Sequence, residues 1–200
     1  MVGGRWLLCA AGDWPDSVIL QPLAAASTVI LGVDGGTDIA LANGLAVDRA
    51  AGDFDSIIDV EIERVSLPDQ HASDLLKAIR FAAEEGAVHI DVVGVEGGDI
   101  AHQLGAFAAL VEAPPDIDVR LHLADHIARR CEHRLELVLD AGTELSLFAF
   151  TSCPHVSLDG VEFPLDDEPL AFSTRGLHNV ALGGPVRVMS DGPLVILIGR

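Results

Sequence analysis

The chain has 200 residues, half of them hydrophobic, and its 31 acidic against 12 basic residues give a formal net charge of −19. This composition provides a packed core and excludes a disordered chain, and its acidity argues against a basic groove for nucleic acid. Apolar runs stay shorter than the roughly 18 residues of a membrane span, so we predict none. An acidic surface is also tolerated in a salty solvent that screens charge repulsion, so acidity alone identifies no ligand.

The N-terminal segment, residues 1–17, has one arginine and a short apolar stretch that leads into acidic residues. This pattern lacks the small-residue cleavage site of a secretory signal. Cys9, Cys131 and Cys153 are far apart and odd in number, which fits neither a disulfide framework nor a zinc site. We therefore expect reduced thiols in the core of a cytoplasmic protein.

Short apolar runs alternate with helical patterns over residues 1–123. Strands, each including the turn that ends it, are predicted at 5–12, 27–36, 47–56, 62–69, 88–94 and 116–124, and helices at 37–44, 73–86 and 99–113. The clearest helix is 73–86, where Ser73 is a candidate N-cap and Gly86 ends the pattern. Such alternation is typical of a mostly parallel sheet with helices on both faces.

The pattern changes after residue 123. Short apolar runs punctuated by Gly, Pro and Asp, without helical spacing, occupy residues 134–150, 155–165 and 185–199. They predict a small antiparallel β domain, and we interpret the polar stretch 124–133 as the junction. The predicted fold is thus an α/β domain over residues 1–123 followed by a β domain over residues 124–200.

Acidic residues and glycines follow four of the predicted strands in the α/β domain. These turns are Asp34-Gly35-Gly36, Gly52-Asp53-Phe54-Asp55-Ser56, the segment with Asp69, Gln70 and Asp74, and the segment with Gly94, Gly97 and Gly98. Ligands of open parallel sheets bind beyond the carboxyl ends of the strands. We therefore expect the four turns to meet at one edge of the sheet and to form a ligand site.

The residue types in these turns point to a cation and a phosphate. Clustered carboxylates repel each other at short range, and a divalent cation relieves that repulsion. Mg²⁺ binds one or two carboxylates together with waters and phosphate oxygens, while glycines let backbone N–H groups approach a phosphate. The residues alone predict a Mg²⁺-dependent phosphate-transfer or nucleotide-binding site. The alternative interpretation is that they only form turns and cap helices.

Taken in series, these motifs resemble those of the thiamine pyrophosphokinase family. The family motifs are DGG, GDFDS, D-Q/K-D-x-T-D and G-G-R-x-D-H, followed by a β domain with a G-x-S-N turn. The matching segments here are residues 34–36, 52–56, 69–74, 97–102 and 176–179. The resemblance implies a Rossmann-like sheet domain followed by a small antiparallel β-sandwich domain, usually in a homodimer with active sites at the subunit interface.

The resemblance also implies an activity, the transfer of pyrophosphate from the co-substrate ATP to thiamine, which gives thiamine diphosphate and AMP. Asp53, Asp55 and Asp74 would be the catalytic residues that hold Mg²⁺, and Asp74 is also the candidate acceptor of the hydroxyl proton. The β domain would supply one wall of the thiamine site. The residues implied to bind ATP or thiamine are Asp34, Gly35, Gly36, Ser56, Gln70, Ser73, Gly97, Gly98, His102, His178 and Asn179.

Four positions depart from the family motifs. Asp99 and Ala101 stand where the family has arginine and aspartate, and His71 and His178 stand where it has aspartate and serine. The change to Asp99 reverses two units of charge beside the expected polyphosphate, which weakens ATP binding. Two alternatives therefore remain open: a related pyrophosphokinase with another acceptor, such as a hydroxymethyl-pterin, and a non-catalytic descendant that binds thiamine or a nucleotide.

Overall fold

The computed structural model describes residues 4–52 and 62–200 and divides the chain into two compact units, Met1–Ala124 and Asp125–Arg200. Asp53, Asp55 and Ser56 of the second motif lie outside the described residues. The mixed α/β composition that the sequence predicts is confirmed. Within the described part of the chain, no helix has the length and apolar character needed to cross a bilayer.

The first unit contains a parallel sheet. Its strands are β1 (Gly4–Cys9), β2 (Val29–Val33), β3 (Arg49–Ala51), β4 (Glu63–Val65), β5 (Ala87–Val93) and β6 (Asp118–His122). They lie in the order β6-β5-β1-β2-β3-β4, and every neighbouring pair is parallel. The predicted parallel pairing in this unit is therefore confirmed, and the carboxyl ends of all six strands lie at one edge.

Helices cover both faces of this sheet, because alternate residues of a strand point to opposite sides. The helices are α1 (Ser17–Ala26), α2 (Gly36–Ala42), α3 (Asp74–Glu84) and α4 (Ile100–Glu112). Leu7 of β1 packs in one apolar cluster with Leu20 of α1 and Ala40 of α2. Its neighbour Trp6 makes an edge-to-face contact with Phe81 of α3, at 6.0 Å between ring centroids.

The predicted α3 is confirmed, whereas α1 was not predicted. Ser73 caps α3 by accepting a hydrogen bond from the N–H of Leu76, as expected of an N-cap serine. Helix α1 contains Pro22, a residue that usually interrupts a helix. Its N-cap is Asp16, whose side chain accepts a hydrogen bond from the N–H of Val18. The sequence contains the N-cap aspartate. The proline and the nearly continuous apolar run, however, obscure the periodic spacing of apolar residues that identifies an amphipathic helix.

The second unit is built from antiparallel strand pairs. Its strands are β7 (His126–Leu139), β8 (Glu144–Ala149), β9 (Cys153–Asp159), β10 (Leu165–Leu170), β11 (Asn179–Val180) and β12 (Gly184–Gly199). Strand β12 pairs with β7 along most of its length, and its two halves pair with β9 and with β8. Leu147 of β8, Leu158 of β9 and Val188 of β12 share one apolar cluster.

The stretch 124–133, interpreted as the junction, contains the boundary between the two units after Ala124, but most of it is strand and not a linker. Residues 126–133 are the first half of β7 and pair with the C-terminal half of β12. Ala128 and Cys131 are buried in this strand, but the intervening arginines and histidines hide the apolar pattern. The backbone of this half of β7 pairs with residues 194–198 of β12, which are all apolar. That pairing stabilises a strand that its own side chains do not predict.

Candidate functional site

A cavity of about 620 Å³ lies in the first unit, next to the carboxyl ends of β1, β2 and β5. Its described lining consists of residues 10–12 after β1, 33–34 at the end of β2, 73–75 at the start of α3, 94–99 after β5, and 101, 102, 105 and 106 of α4. This position is where open parallel sheets bind their ligands. Of the predicted site residues, the cavity brings together Asp34, Ser73, Asp74, Gly97, Gly98 and His102.

Asp34 is held at the end of β2 by an unusual backbone conformation. Its φ is 49°, in the left-handed region that few residues other than glycine adopt. Its N–H donates to the carbonyl oxygen of Ala51, at 2.8 Å. Its Oδ1 lies so close to the Cα of Gly52 that a Cβ at that position would clash. The glycine that opens the second motif therefore makes room for the Asp34 carboxyl group, whose position is fixed by β3.

Asp74 is the first residue of α3, and its carboxyl group is hydrogen-bonded to that of Asp34. Two carboxyl groups in contact need a proton between them or a cation beside them, since like charges otherwise repel. Lys77, one turn further along α3, forms an ion pair with Oδ1 of Asp74. Its Nζ also donates to the carbonyl oxygen of Leu67, at 3.2 Å.

The pKa of Asp74 reflects these contacts. Burial would raise it, but the hydrogen bonds with Lys77 and Asp34 and the positive charge of Lys77 outweigh burial and hold the pKa below its ordinary value. The carboxyl group is therefore ionised at neutral pH. An ionised, weakly basic carboxylate is better suited to holding a cation than to accepting a proton.

The pair formed by Asp34 and Asp74 fits Mg²⁺, which takes one or two carboxylates and completes its octahedron with waters and phosphate oxygens. Over residues 4–52 and 62–200, no group of three or more His, Cys, Asp or Glu side chains is placed to hold a metal ion. The described donor set thus suits an ion that also needs ligands from a substrate. The other two predicted metal ligands, Asp53 and Asp55, lie outside the described residues.

The turn after β5 forms a glycine-lined wall of the cavity. Backbone hydrogen bonds tie it to the turn after β1: the N–H of Gly12 donates to the carbonyl oxygen of Gly94, and that of Asp13 to the carbonyl oxygen of Glu96, both at 2.7 Å. Gly98 has a φ of 63°, and a Cβ there would meet no atom within 4 Å. Its backbone is open to a ligand, an arrangement that suits close approach by a phosphate.

The turn after β1 was not predicted to belong to the site. Ala10, Ala11 and Gly12 line the cavity, but they carry no charged or hydrogen-bonding side chain that marks them in the sequence. The position of β1 in the sheet could have indicated these residues, because the end of a central parallel strand lies at the same sheet edge as the ends of its neighbours.

Asp99, at the motif position where the resemblance implies an arginine, is the N-cap of α4. Its Oδ1 accepts a hydrogen bond from the N–H of Ala101, at 2.8 Å. The described lining of the cavity contains four acidic residues, Asp34, Asp74, Glu96 and Asp99, and no lysine or arginine. The negative electrostatic potential of this lining therefore attracts cations and repels a polyphosphate that has no cation bound to it.

Several predicted site residues have structural partners or lie away from the described cavity wall. Gly36 is buried at the start of α2, and neither it nor Gly35 belongs to the cavity lining. Gln70 is exposed in the turn before α3 and does not line the cavity either. Ser73 does line it, although its hydroxyl oxygen serves as the cap of α3.

His178 and Asn179 belong to the second unit. Asn179 is buried, and its side chain pairs with both backbone groups of Phe163: Nδ2 donates to the carbonyl oxygen at 2.7 Å and Oδ1 accepts from the N–H at 3.1 Å. His178 is exposed, has a φ of 51°, and donates its N–H to Oγ of Ser146. Asn179 thus has a clear structural role in the second unit.

Comparison with known proteins supports one family. The family model described as "Thiamin pyrophosphokinase, catalytic domain" matches residues 20–121. Thiamine pyrophosphokinase of Bacillus subtilis (strain 168) is 29% identical over 154 residues, which cover 70% of this chain and 72% of that protein.

Solved structures share the fold over nearly the whole chain. A crystal structure of thiamine pyrophosphokinase from Bacillus subtilis aligns with a TM-score of 0.81 and 20% identity, covering 98% of this chain and 99% of that one. Yeast thiamin pyrophosphokinase aligns with a TM-score of 0.77 and 9% identity, covering 100% of this chain and 87% of that one. At such low identities, the likeness concerns the fold alone.

Proposed function

The chain belongs to the thiamine pyrophosphokinase family, and on that premise we propose that it transfers pyrophosphate from ATP to the hydroxyl group of thiamine with the help of Mg²⁺. The observation that carries this proposal is the contact between the Asp34 and Asp74 carboxyl groups in a cavity at the carboxyl ends of parallel strands. Thiamine and ATP are the proposed ligands, and a cytoplasmic homodimer is the proposed state of the protein.

In the proposed reaction, the hydroxyl oxygen of thiamine forms a bond to the β-phosphorus of ATP. The bond from that phosphorus to the oxygen retained by AMP breaks, and the hydroxyl proton is released. When bound, Mg²⁺ would neutralise charge on the triphosphate and on the attacked phosphorus. Asp34 and Asp74, with the predicted ligands Asp53 and Asp55, would hold that ion.

The described residues contribute position and charge to this reaction. Asp34 is fixed by its backbone conformation and by the bond from its N–H to Ala51. The lowered pKa of Asp74 favours a metal-holding role over the role of proton acceptor. The open backbone at Gly98 would approach the phosphates from the turn after β5.

Release of AMP from ATP and Mg²⁺ by the purified chain, with and without thiamine, tests the proposal. We expect AMP and thiamine diphosphate in equal amounts, and AMP only when thiamine is present. The rate is expected to rise from low salt to molar salt, because salt screens repulsion between ATP and a chain of charge −19. A folded protein that releases no thiamine-dependent AMP at either salt concentration would contradict the proposal.

A second candidate, a non-catalytic protein that binds thiamine or a nucleotide, is favoured by one observation. Asp99 stands where the family motif has arginine, and the described cavity lining has no lysine or arginine to take its place. Calorimetry separates the candidates, because ligand binding without turnover is expected only of the second. A pyrophosphokinase for another acceptor, such as a hydroxymethyl-pterin, would release AMP only when that acceptor replaces thiamine.

Restoring the family residues with Asp99→Arg and Ala101→Asp is expected to lower the KM for ATP at least about fivefold, since the change at 99 replaces a repelling charge by an attracting one and outweighs the single negative charge added at 101. The double variant should also lose about 1 kcal/mol of stability, because Asp99 caps α4. Steady-state kinetics and thermal unfolding measure the two effects.

The matched control is Asp99→Asn, which removes the charge but keeps a capping side chain. It should retain the melting temperature and show part of the gain in KM. If neither variant lowers the KM for ATP, repulsion by Asp99 does not limit ATP binding.

A further inference from the structure

Lys77 is the only lysine of the chain, and its side chain is only 12% exposed. It lies on α3, one turn after Asp74, and its Nζ contacts two groups that precede it in the sequence. One is Oδ1 of Asp74, and the other is the carbonyl oxygen of Leu67 in the segment between β4 and α3. The ammonium group therefore connects that segment to the first turn of α3.

Lys77 makes more contacts than a lysine whose only role is to stabilise its own helix. A lysine paired with an aspartate three residues earlier on an exposed helix contributes only a few tenths of a kcal/mol and does not need burial. Here the aspartate is also hydrogen-bonded to a second carboxyl group, that of Asp34, which follows the end of β2. The positive charge is thus placed beside a carboxyl group that also contacts a second acidic group.

We infer that Lys77 is a positioning residue of this site: its ammonium group holds the Asp74 carboxylate beside Asp34 before a divalent cation binds, and the cation then competes with it for Asp74. The inference rests on the proposed function, because it takes the Asp34 and Asp74 pair as part of the ligand set for the metal ion. Lys77 acts through Asp74 and is assigned no contact with substrate.

The competition follows from charge and geometry. One carboxylate oxygen of Asp74 is engaged by Nζ, so a metal ion must share the group with the ammonium or displace it. A positive charge within a few ångströms of a divalent cation also repels it, and this repulsion is only partly screened at a half-buried site. Removal of the ammonium should therefore strengthen metal binding, although it loosens the site in the metal-free protein.

Binding of Mn²⁺, followed by the electron paramagnetic resonance of the free ion, tests this inference on the full chain without nucleotide. Lys77→Met should bind Mn²⁺ about three- to tenfold more tightly than the unaltered chain, since it removes one nearby positive charge. Lys77→Arg keeps the charge and should retain the original affinity. Lys77→Gln serves in place of the methionine variant if circular dichroism shows that the latter is unfolded.

Arg80→Met is the matched control. It removes a positive charge from the same helix, but the Arg80 guanidinium faces Asp69 and Glu112, at 4.0 and 3.8 Å, and not Asp74. Its Mn²⁺ affinity should stay close to that of the unaltered chain. A gain in both the Lys77 and the Arg80 variants would reflect net charge alone and would overturn the inference.

Two further outcomes separate this inference from the proposed function. If the unaltered chain binds Mn²⁺ and the Lys77→Met and Lys77→Gln variants bind it no more tightly, the inference is wrong while the metal site stands. If the unaltered chain binds no Mn²⁺ either alone or with ATP, the metal site of the proposed function is wrong, and the inference is wrong with it.

Discussion

Asp74→Asn is expected to reduce thiamine-dependent AMP release on the order of a hundredfold or more, the loss typical of removing one preorganised charged group at a reaction centre. Asp74 lines the cavity, is ionised, and shares a hydrogen bond with Asp34. An asparagine keeps the size of the side chain but removes the charge that would hold Mg²⁺. Steady-state AMP formation at saturating Mg²⁺ and thiamine measures the effect.

The control for this substitution is Asp38→Asn. Asp38 lies in the first turn of α2, is exposed, and does not line the described cavity. It should retain nearly full activity, and both variants should give the circular dichroism spectrum of the unaltered chain. If Asp74→Asn keeps more than about half of the activity, Asp74 is not part of the metal site.

Asp91→Asn is expected to lower the free energy of unfolding by about 3 kcal/mol, because it breaks a buried cluster of charged and polar groups. Asp91 of β5 is 1% exposed. Its Oδ2 accepts a hydrogen bond from Nε of Arg5, and its Oδ1 is bonded to Nε2 of His122, both at 2.7 Å. An uncharged amide leaves the guanidinium without its ion pair inside the sheet. Chemical unfolding at pH 7 measures the loss.

The effect of Asp91 should depend on pH. Burial would raise the pKa of Asp91, but hydrogen bonds with His122 and Arg5 hold it below the ordinary value. A group whose pKa is lowered by folding stabilises the protein above its unfolded pKa, near 4, and loses that contribution as the pH falls through the folded value. The difference between the unaltered chain and Asp91→Asn should thus be complete above about pH 5 and shrink below about pH 4.

An exposed aspartate of the same unit provides the comparison. Asp116→Asn, in the turn before β6, should change stability by less than about 0.5 kcal/mol. A loss below about 1 kcal/mol for Asp91→Asn would mean that the cluster contributes little to the fold.

Much of the first unit could be predicted from the sequence because its local signals agree with its packing. Helix α3 has both an N-cap serine and an amphipathic pattern, and α2 (Gly36–Ala42) lies close to the predicted helix at 37–44. Helix α1 contains a proline, and the first half of β7 carries arginines and histidines. In both, packing and backbone pairing override the local pattern, and only the tertiary structure reveals them.

The candidate site could be predicted only as a set of residues. The order of the motifs placed Asp34 and Asp74 in segments that follow predicted strands, and the parallel sheet brings both to one cavity. Their hydrogen bond, the ion pair with Lys77, and the capping role of Asp99 depend on distances between segments far apart in the sequence. Motif spacing contains no information on such distances. Asp53, Asp55 and Ser56, outside the described residues, stay predictions.

The most direct test of the central claim is the fate of a label placed on the β-phosphorus of ATP during turnover with Mg²⁺ and thiamine. Transfer of pyrophosphate predicts that the label appears in thiamine diphosphate and that unlabelled AMP is released. Label found in ADP would show transfer of the γ-phosphoryl group alone, and label that stays in ATP would show no transfer. Either result, from a folded protein, would contradict the proposed function.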